Sequence, residues 1–366
     1  MNRRTFLGTA AVCGGLGVAG CLDSEIASGD DAAYPRHDRP AYSAWPPAES
    51  YGGGGVLFAQ LRLQQYPAIQ QAVAAGRLDT TNPVAGLSVY GSEQIATAVE
   101  TLSVYPFGDT LQQAVAAASS PDDGTDTDHD QPLFDPASNS TVTDMSEPET
   151  ADAEAAGIEP ERVALFDEVL LFEGSFDSTR IVEQFGDSFE HVDTHRNVAI
   201  YEGSDEQAGF AFGLTDNWLL VPTAFDEREA DSNTVFAHSV GGYISTVDRI
   251  VDSGDGEWLF ETTGSVASSA GFWEMPVTDH LDATDIDTSR PGVDAVFDSV
   301  ESCLCALEPT DETAENPSFE TRFSGLYPEE SPNNEDLQSA FVGESEPEWL
   351  YSETPRAHVT ATSDEQ

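Results

Sequence analysis

Lysine is absent from the chain. All 14 basic residues are arginines, set against 67 aspartates and glutamates in 366 residues, so the formal net charge at pH 7 is −53. Two classes of function fall with the missing cations. Nucleic-acid binding through a basic face needs clustered Lys or Arg to displace counterions. Walker-type nucleotide hydrolysis and Schiff-base chemistry need the lysine amine. Cysteine is scarce too, at four residues. The apolar stretch from Gly8 to Gly20 falls short of the roughly 20 residues that span a bilayer. What is present is a full set of aromatics: 19 Phe, 10 Tyr and 5 Trp. A disordered acidic chain lacks these, so the composition predicts a packed core beneath a very acidic surface.

That surface sets the solvent. Uncompensated charge on this scale repels strongly in dilute buffer, but at about 1 M salt the Debye length shrinks to roughly 3 Å and the repulsion is nearly silenced. Carboxylates hold water and cations, whereas lysine exposes a long aliphatic stem. The exchange of lysine for Asp, Glu and a few Arg predicts a protein adapted to brine.

The N-terminus reads as an export signal. Asn2-Arg3-Arg4-Thr5-Phe6-Leu7 is a twin-arginine pattern, the apolar stretch follows, and Val18-Ala19-Gly20-Cys21 resembles a lipobox. Residues 1–20 are then a signal peptide, and the Cys21 thiol takes a lipid. A two-chain lipid anchors firmly where a single acyl chain does not. Cys13 leaves with the signal, so Cys303 and Cys305 remain and no disulfide framework exists.

Beyond the signal, residues 21–52 read as an acidic tether with Tyr42 and Trp45 near its end, and 53–118 as an N-terminal α/β segment. The latter opens with a strand at Val56 to Leu63, then helices marked by Ile69 and Ala72, by Ile95 and Val99, and by Leu111 and Val115, with Asp109 as an N-cap. Residues 119–160 read as a disordered acidic loop, rich in Pro and Thr, and the main domain covers 161–362. Val163 to Phe172 reads as one buried strand, and Asp177 caps a helix carrying Ile181. Strands follow at 197–202, 208–214 and 218–221, the last two joined through Thr215-Asp216-Asn217. A helix is expected over Val240 to Val251. Beyond it come strands at Glu257 to Thr262, Ser299 to Leu307, Phe319 to Leu326 and Arg356 to Thr362, with a helix at Glu335 to Phe341. The expected fold class is α+β: a mixed, largely antiparallel sheet with short helices. The shared β-α opening of the two segments suggests a degenerate β-α-β-β repeat.

In its twin-arginine lipobox, acidic tether with Tyr and Trp, and alternating short elements, the chain resembles uncharacterised haloarchaeal secreted lipoproteins. The resemblance implies an extracytoplasmic, membrane-anchored, halophilic protein and carries no functional residue beyond Cys21.

Four constellations could carry chemistry. Ala237-His238-Ser239-Val240-Gly241 is similar to the nucleophile elbow of α/β-hydrolases, which sets a serine between small neighbours on a strand-to-helix turn, with His280 or His358 available to complete a triad. The preceding strands read as hairpins rather than parallel crossovers, and no His-Gly dipeptide marks an oxyanion loop. His191-Val192-Asp193-Thr194-His195 would set two imidazoles and a carboxylate on one face if extended, yet no fourth metal ligand can be named. Cys303-Leu304-Cys305 on a strand would place both thiols on one face, where a disulfide is strained and a small-hydrophobe role fits better. Asp126 to Ala137 fails as a calcium loop, because Gln131 stands where Gly is needed and Ala137 where a bidentate Glu is needed. Asn139-Ser140-Thr141 is a glycosylation sequon. The reading is a lipid-anchored protein with a noncatalytic binding or structural role, no cofactor or metal, and the membrane as its partner through the lipid. The alternative is a secreted serine esterase using Ser239.

Overall fold

The computed structural model describes residues 35–50, 53–105, 107–120, 157–166, 169–185, 188–204, 207, 209–223, 240–241, 243, 247–281, 284–311, 317–342 and 347–362. Among them twelve strands form one sheet. In chain order they are β1 (Val56–Arg62), β2 (Ile158–Phe166), β3 (Val169–Phe176), β4 (Phe189–His195), β5 (Val198–Gly203) and β6 (Ala211–Leu214). Then come β7 (Trp218–Pro222), β8 (Ser268–Trp273), β9 (Ser302–Pro309), β10 (Phe319–Leu326), β11 (Trp349–Glu353) and β12 (Arg356–Thr362). Their order across the sheet is β11-β12-β10-β9-β8-β1-β2-β3-β7-β6-β5-β4. Every pairing among the described residues is antiparallel. The α+β class with an antiparallel sheet is therefore the fold.

Helices cover both faces. The helices are α1 (Tyr66–Ala74), α2 (Pro83–Glu100), α3 (Gly108–Ala118), α4 (Ser178–Phe185), α5 (Gly254–Thr263), α6 (Thr278–Leu281), α7 (Val293–Phe297) and α8 (Asn334–Phe341). On one face, Leu61, Val163, Leu165 and Phe172 pack with Ile69, Ile95 and Leu111 of α1–α3. Farther along that face Phe272 and Phe323 pack with Val293, Phe297 and Leu337 of α7 and α8. The opposite face, carrying Phe58, Phe166, Leu304 and Leu326, is closed by Trp258 and Leu259 of α5 and by Tyr42 and Trp45.

Helix α2 starts where Asn82 accepts a hydrogen bond from Val84 N and Pro83 fills the first turn. It lies close on the sheet because its inward residues are small. A Cβ on Gly91 would stand 2.8 Å from the Ala270 Cβ and 3.1 Å from the Ala59 Cβ. Ser92 and Ser268 hydroxyls meet at 2.8 Å in this buried contact.

Several expectations are corrected here. Strand β1 lies mid-sheet between β8 and β2, so 53–118 and 161–362 share one sheet rather than forming separate segments. The tether does not run free to residue 52: Tyr42 and Trp45 are fully buried, and Pro47 bridges to Arg249. Val163 to Phe172 is two strands, with Phe166 paired to Val169 and the polar Asp167 and Glu168 between them. Glu257 to Thr262 is helical, because Ser253 caps Gly256 N at 2.9 Å and starts a turn that buries an apolar side. Of the helix expected at 240–251, Val240, Gly241 and Tyr243 are helical, but Arg249 is extended and Ile250–Asp252 is a single 3-10 turn. Asp109 lies inside the first turn of α3, with Phe107 at the N-cap. Of the loop expected at 119–160, residues 121–156 lie outside the described residues, whereas Ser119 is buried at the end of α3 and Ile158 to Pro160 already belong to β2.

Candidate functional site

A buried polar cluster lies where α5 packs over β9 and β10, beside β12. Ser324 and His358 are directly opposed residues of these two strands, so their side chains share a face. Ser324 Oγ is 2.9 Å from His358 Nδ1, and 2.8 Å from Thr262 Oγ1 of α5. Thr262 Oγ1 also reaches back to Trp258 O at 2.9 Å. His358 Nε2 meets Thr360 Oγ1 at 2.9 Å, which completes a chain of four side chains.

Burial holds His358 well below its ordinary value, down to about 3, with the nearby positive charge of Arg322 and the neighbouring His37 pushing the same way. The imidazole is therefore neutral at ordinary pH. A serine hydroxyl on a histidine nitrogen has the geometry of a nucleophile and its base. Here Ser324 and His358 are completely buried, and the far nitrogen bonds a threonine hydroxyl rather than a carboxylate. What the arrangement does is satisfy the polar atoms that fasten α5 to the sheet.

Along α5 and its leading turn stand five of the chain's 14 arginines. Arg36 pairs with Glu261 at 3.5 Å and Arg39 with Glu257 at 3.1 Å. Arg249 clasps Asp252 at 2.6 Å, and Arg356 holds Asp255 at 2.8 Å with its guanidinium 5.2 Å from the Trp258 ring. Arg322 donates to Thr263 O at 2.6 Å and pairs with Glu320. Every carboxylate of α5 and its leading turn thus has a guanidinium partner. His37 lies at the helix end, where a Cβ on Gly264 (φ +71°) would stand 2.6 Å from the His37 Cβ. Burial, aided by Arg322 and opposed by Glu320, lowers the His37 pKa as well.

The residues singled out in the sequence do not converge. His191, Asp193 and His195 lie on edge strand β4, and a bulge between His191 and Asp193 breaks their alternation. His191 opposes Tyr201 and bonds Thr194 at 2.8 Å, on the face of α1–α4. Asp193 opposes Ile200 and meets His195 at 3.3 Å, on the face of α5. The bulge sends the two imidazoles to opposite sides of the sheet.

Cys303 and Cys305 are fully buried on one face of β9, with Phe323 opposite Cys305 and Gly325 opposite Cys303. Burial, with the neighbouring Cys303, pushes the Cys305 thiol well above its ordinary range. His280 is half-buried against Tyr90, whose OH is 3.4 Å from Nδ1, and against the Phe272 ring. His358 belongs to the buried cluster instead. Arg3, Arg4, Cys21, Asn139, His238, Ser239 and the stretch Asp126 to Ala137 lie outside the described residues. Among the described residues no three His, Cys, Asp or Glu side chains are grouped to hold a metal ion.

The sequence reading missed Ser324 as His358's partner. The signal was there: Arg322 and Ser324 alternate with Phe323, and His358 and Thr360 with Val359, which is the pattern of a polar row on one sheet face.

No family model matches the chain, and no curated protein sequence matches it. Among solved structures, crystal form I of TP0453 is similar at 9% identity and a TM-score of 0.36, covering 89% of this chain and 94% of that one. Crystal form IV of TP0453 gives 12% identity and a TM-score of 0.31 over 60% and 81%. At these scores the likeness carries no argument. Among the described residues no helix is long and apolar enough to cross a membrane.

Proposed function

We propose that this is an exported, lipid-anchored protein of salt-rich surroundings, held at the outer face of the membrane in a noncatalytic binding or structural role. The observation that carries the reading is the ordered pair of N-terminal motifs, Arg3-Arg4 and then Val18-Ala19-Gly20-Cys21, ahead of a chain with net charge −53. Thirteen residues separate Cys21 from Pro35, the first described residue. Fully extended they reach about 45 Å, so an anchor at Cys21 would keep the folded body near the lipid. Replacing Cys21 by Ser should release the protein to the medium or leave the signal uncleaved. Normal processing with unchanged membrane retention would overturn the anchor.

The esterase alternative calls for parallel strands delivering Ser239 to a strand–helix turn. Antiparallel pairing throughout the described sheet weighs for the binding reading. Hydrolysis of acyl esters in molar salt by the wild type, lost in Ser239→Ala, would reverse this choice.

We further infer that the sheet arose from a degenerate repeat, between other halves than the 53–118 and 161–362 segments that the sequence suggested. Its support is the parallel order of connections: β1, helices, β2, β3, α4 in one half and β8, helices, β9, β10, α8 in the other. In each half the last strand then returns to pair with the third, β7 with β3 and β12 with β10.

A further inference from the structure

We propose that the sheet face carrying α5 and the rim of β11 is the side that rests on the membrane, with Trp349 seated at the headgroup–acyl boundary. Trp349 is 46% exposed, and Val192 is the other exposed large apolar side chain among the described residues. An exposed Trp costs apolar surface unless something covers it, and Trp and Tyr are the residues that favour the water–lipid boundary.

Its position connects it to the anchor. Trp349 opposes Thr360 on β12, and Thr360 opposes Arg322 on β10. Three neighbouring strands span about 10 Å. Arg322 donates to Thr263 O, and the next residue, Gly264, lies against His37. His37, two residues after the first described residue, therefore lies on the same sheet face as Trp349. Tyr351, opposite His358, adds a second half-buried ring on that face. Charge favours the same side. The carboxylates of α5 and its leading turn are each matched by an arginine, so this stretch brings no uncompensated charge to a headgroup layer. Glu348 and Glu353 flank the β11 aromatics and keep the contact to the two rings.

The proposal rests on the anchor reading, but its test is independent of cellular lipidation. The full chain carrying Cys13→Ala is coupled through the Cys21 thiol to phosphatidylglycerol vesicles bearing a maleimide headgroup, in molar salt; Cys303 and Cys305 are buried and do not compete. The vesicles carry bromine on their acyl chains, which quenches tryptophan on contact. Trp45, Trp258 and Trp273 are buried and Trp218 half-buried, so the exposed emission belongs to Trp349. The expected result is loss of the long-wavelength emission on brominated vesicles, shielding from acrylamide, and disappearance of both effects in Trp349→Phe. Coupled, folded protein whose Trp349 stays open to acrylamide and unquenched by bromine would overturn the proposal, as would quenching that persists in Trp349→Phe. Failure of the anchor itself is read separately, from fractionation of Cys21→Ser in cells.

Discussion

The ring of Phe58 lies over Gly271, the residue directly opposite it on the neighbouring strand β8. A Cβ at Gly271 would fall inside the van der Waals radius of the Phe58 ring carbons, and the ring is fully buried, so it has nowhere to move. Gly271→Ala should therefore destabilise the fold by about 1–3 kcal/mol, the usual cost of overpacking. The double variant with Phe58→Leu should recover part of that loss. Additive losses in thermal unfolding would show that the two positions do not compete for the same space.

Trp45 fastens the N-terminal segment to the body. Its ring stacks on Tyr243 with centroids 3.9 Å apart, and Arg196 covers Tyr243 at 5.5 Å. Removing a buried aromatic of this size costs about 3–5 kcal/mol. Trp45→Ala should lower the melting temperature and open the bond after Arg36 to trypsin, an enzyme with few sites in a lysine-free chain. Wild-type resistance at Arg36 in the variant would argue that the backbone bonds of His37 and Ala48 hold the segment without the ring.

His358 should make stability fall in acid. Unfolded, its imidazole takes a proton near 6.5; folded, it resists down to about 3. Between those values unfolding takes up a proton, so its contribution is complete above 6.5 and drains away as pH falls toward 3. The slope approaches about 1.4 kcal/mol per pH unit for one proton. Carboxylates titrate in the lower part of this window, so the measurement is the difference between wild type and His358→Gln across pH 4–7 in fixed molar salt. A difference independent of pH would refute the assignment.

Salt should stabilise the fold. Surface ion pairs such as Arg39 with Glu257 are each worth little and weaken as salt is added, whereas the repulsion among the excess carboxylates weakens over the whole surface. With 67 acids against 14 bases the second effect wins. The melting temperature should climb steeply up to about 1 M, where the Debye length is roughly 3 Å. A melting temperature indifferent to salt would show that the acidic surface is not tuned to brine.

How far the sequence could be read depended on whether a segment has two distinct faces. Strands β10 and β12 and the hairpin through Thr215 matched expectation, because polar and apolar residues alternate or a turn residue marks the join; Thr215 Oγ1 accepts from Asn217 N and Trp218 N. Asp177, accepting from Arg180 N at 3.1 Å, announced α4 in the same way. Strand β8 was missed because Ser268 to Trp273 is buried on both faces and four of its six residues are small, leaving no period to detect. Helix α5 was mistaken for a strand for the related reason that a short, almost wholly buried run fits either period, and only the Ser253 cap decides it. The buried cluster was half-legible: the polar rows on β10 and β12 are periodic, but nothing local tells that they face each other under α5. The β4 bulge is invisible in the residues themselves, which is why His191 and His195 looked like neighbours.

The seam between β1 and β8 has a consequence in time. It joins residues more than 200 positions apart, Val56 to Trp273 among them. While the chain is being synthesised, one side of β1 has no partner until Ser268–Trp273 leaves the ribosome, and its free N–H and C=O groups invite any passing strand. Pairings of such long range form slowly. The halves of the sheet therefore close together, late, and a chain interrupted before Trp273 is an aggregating fragment rather than a smaller working protein.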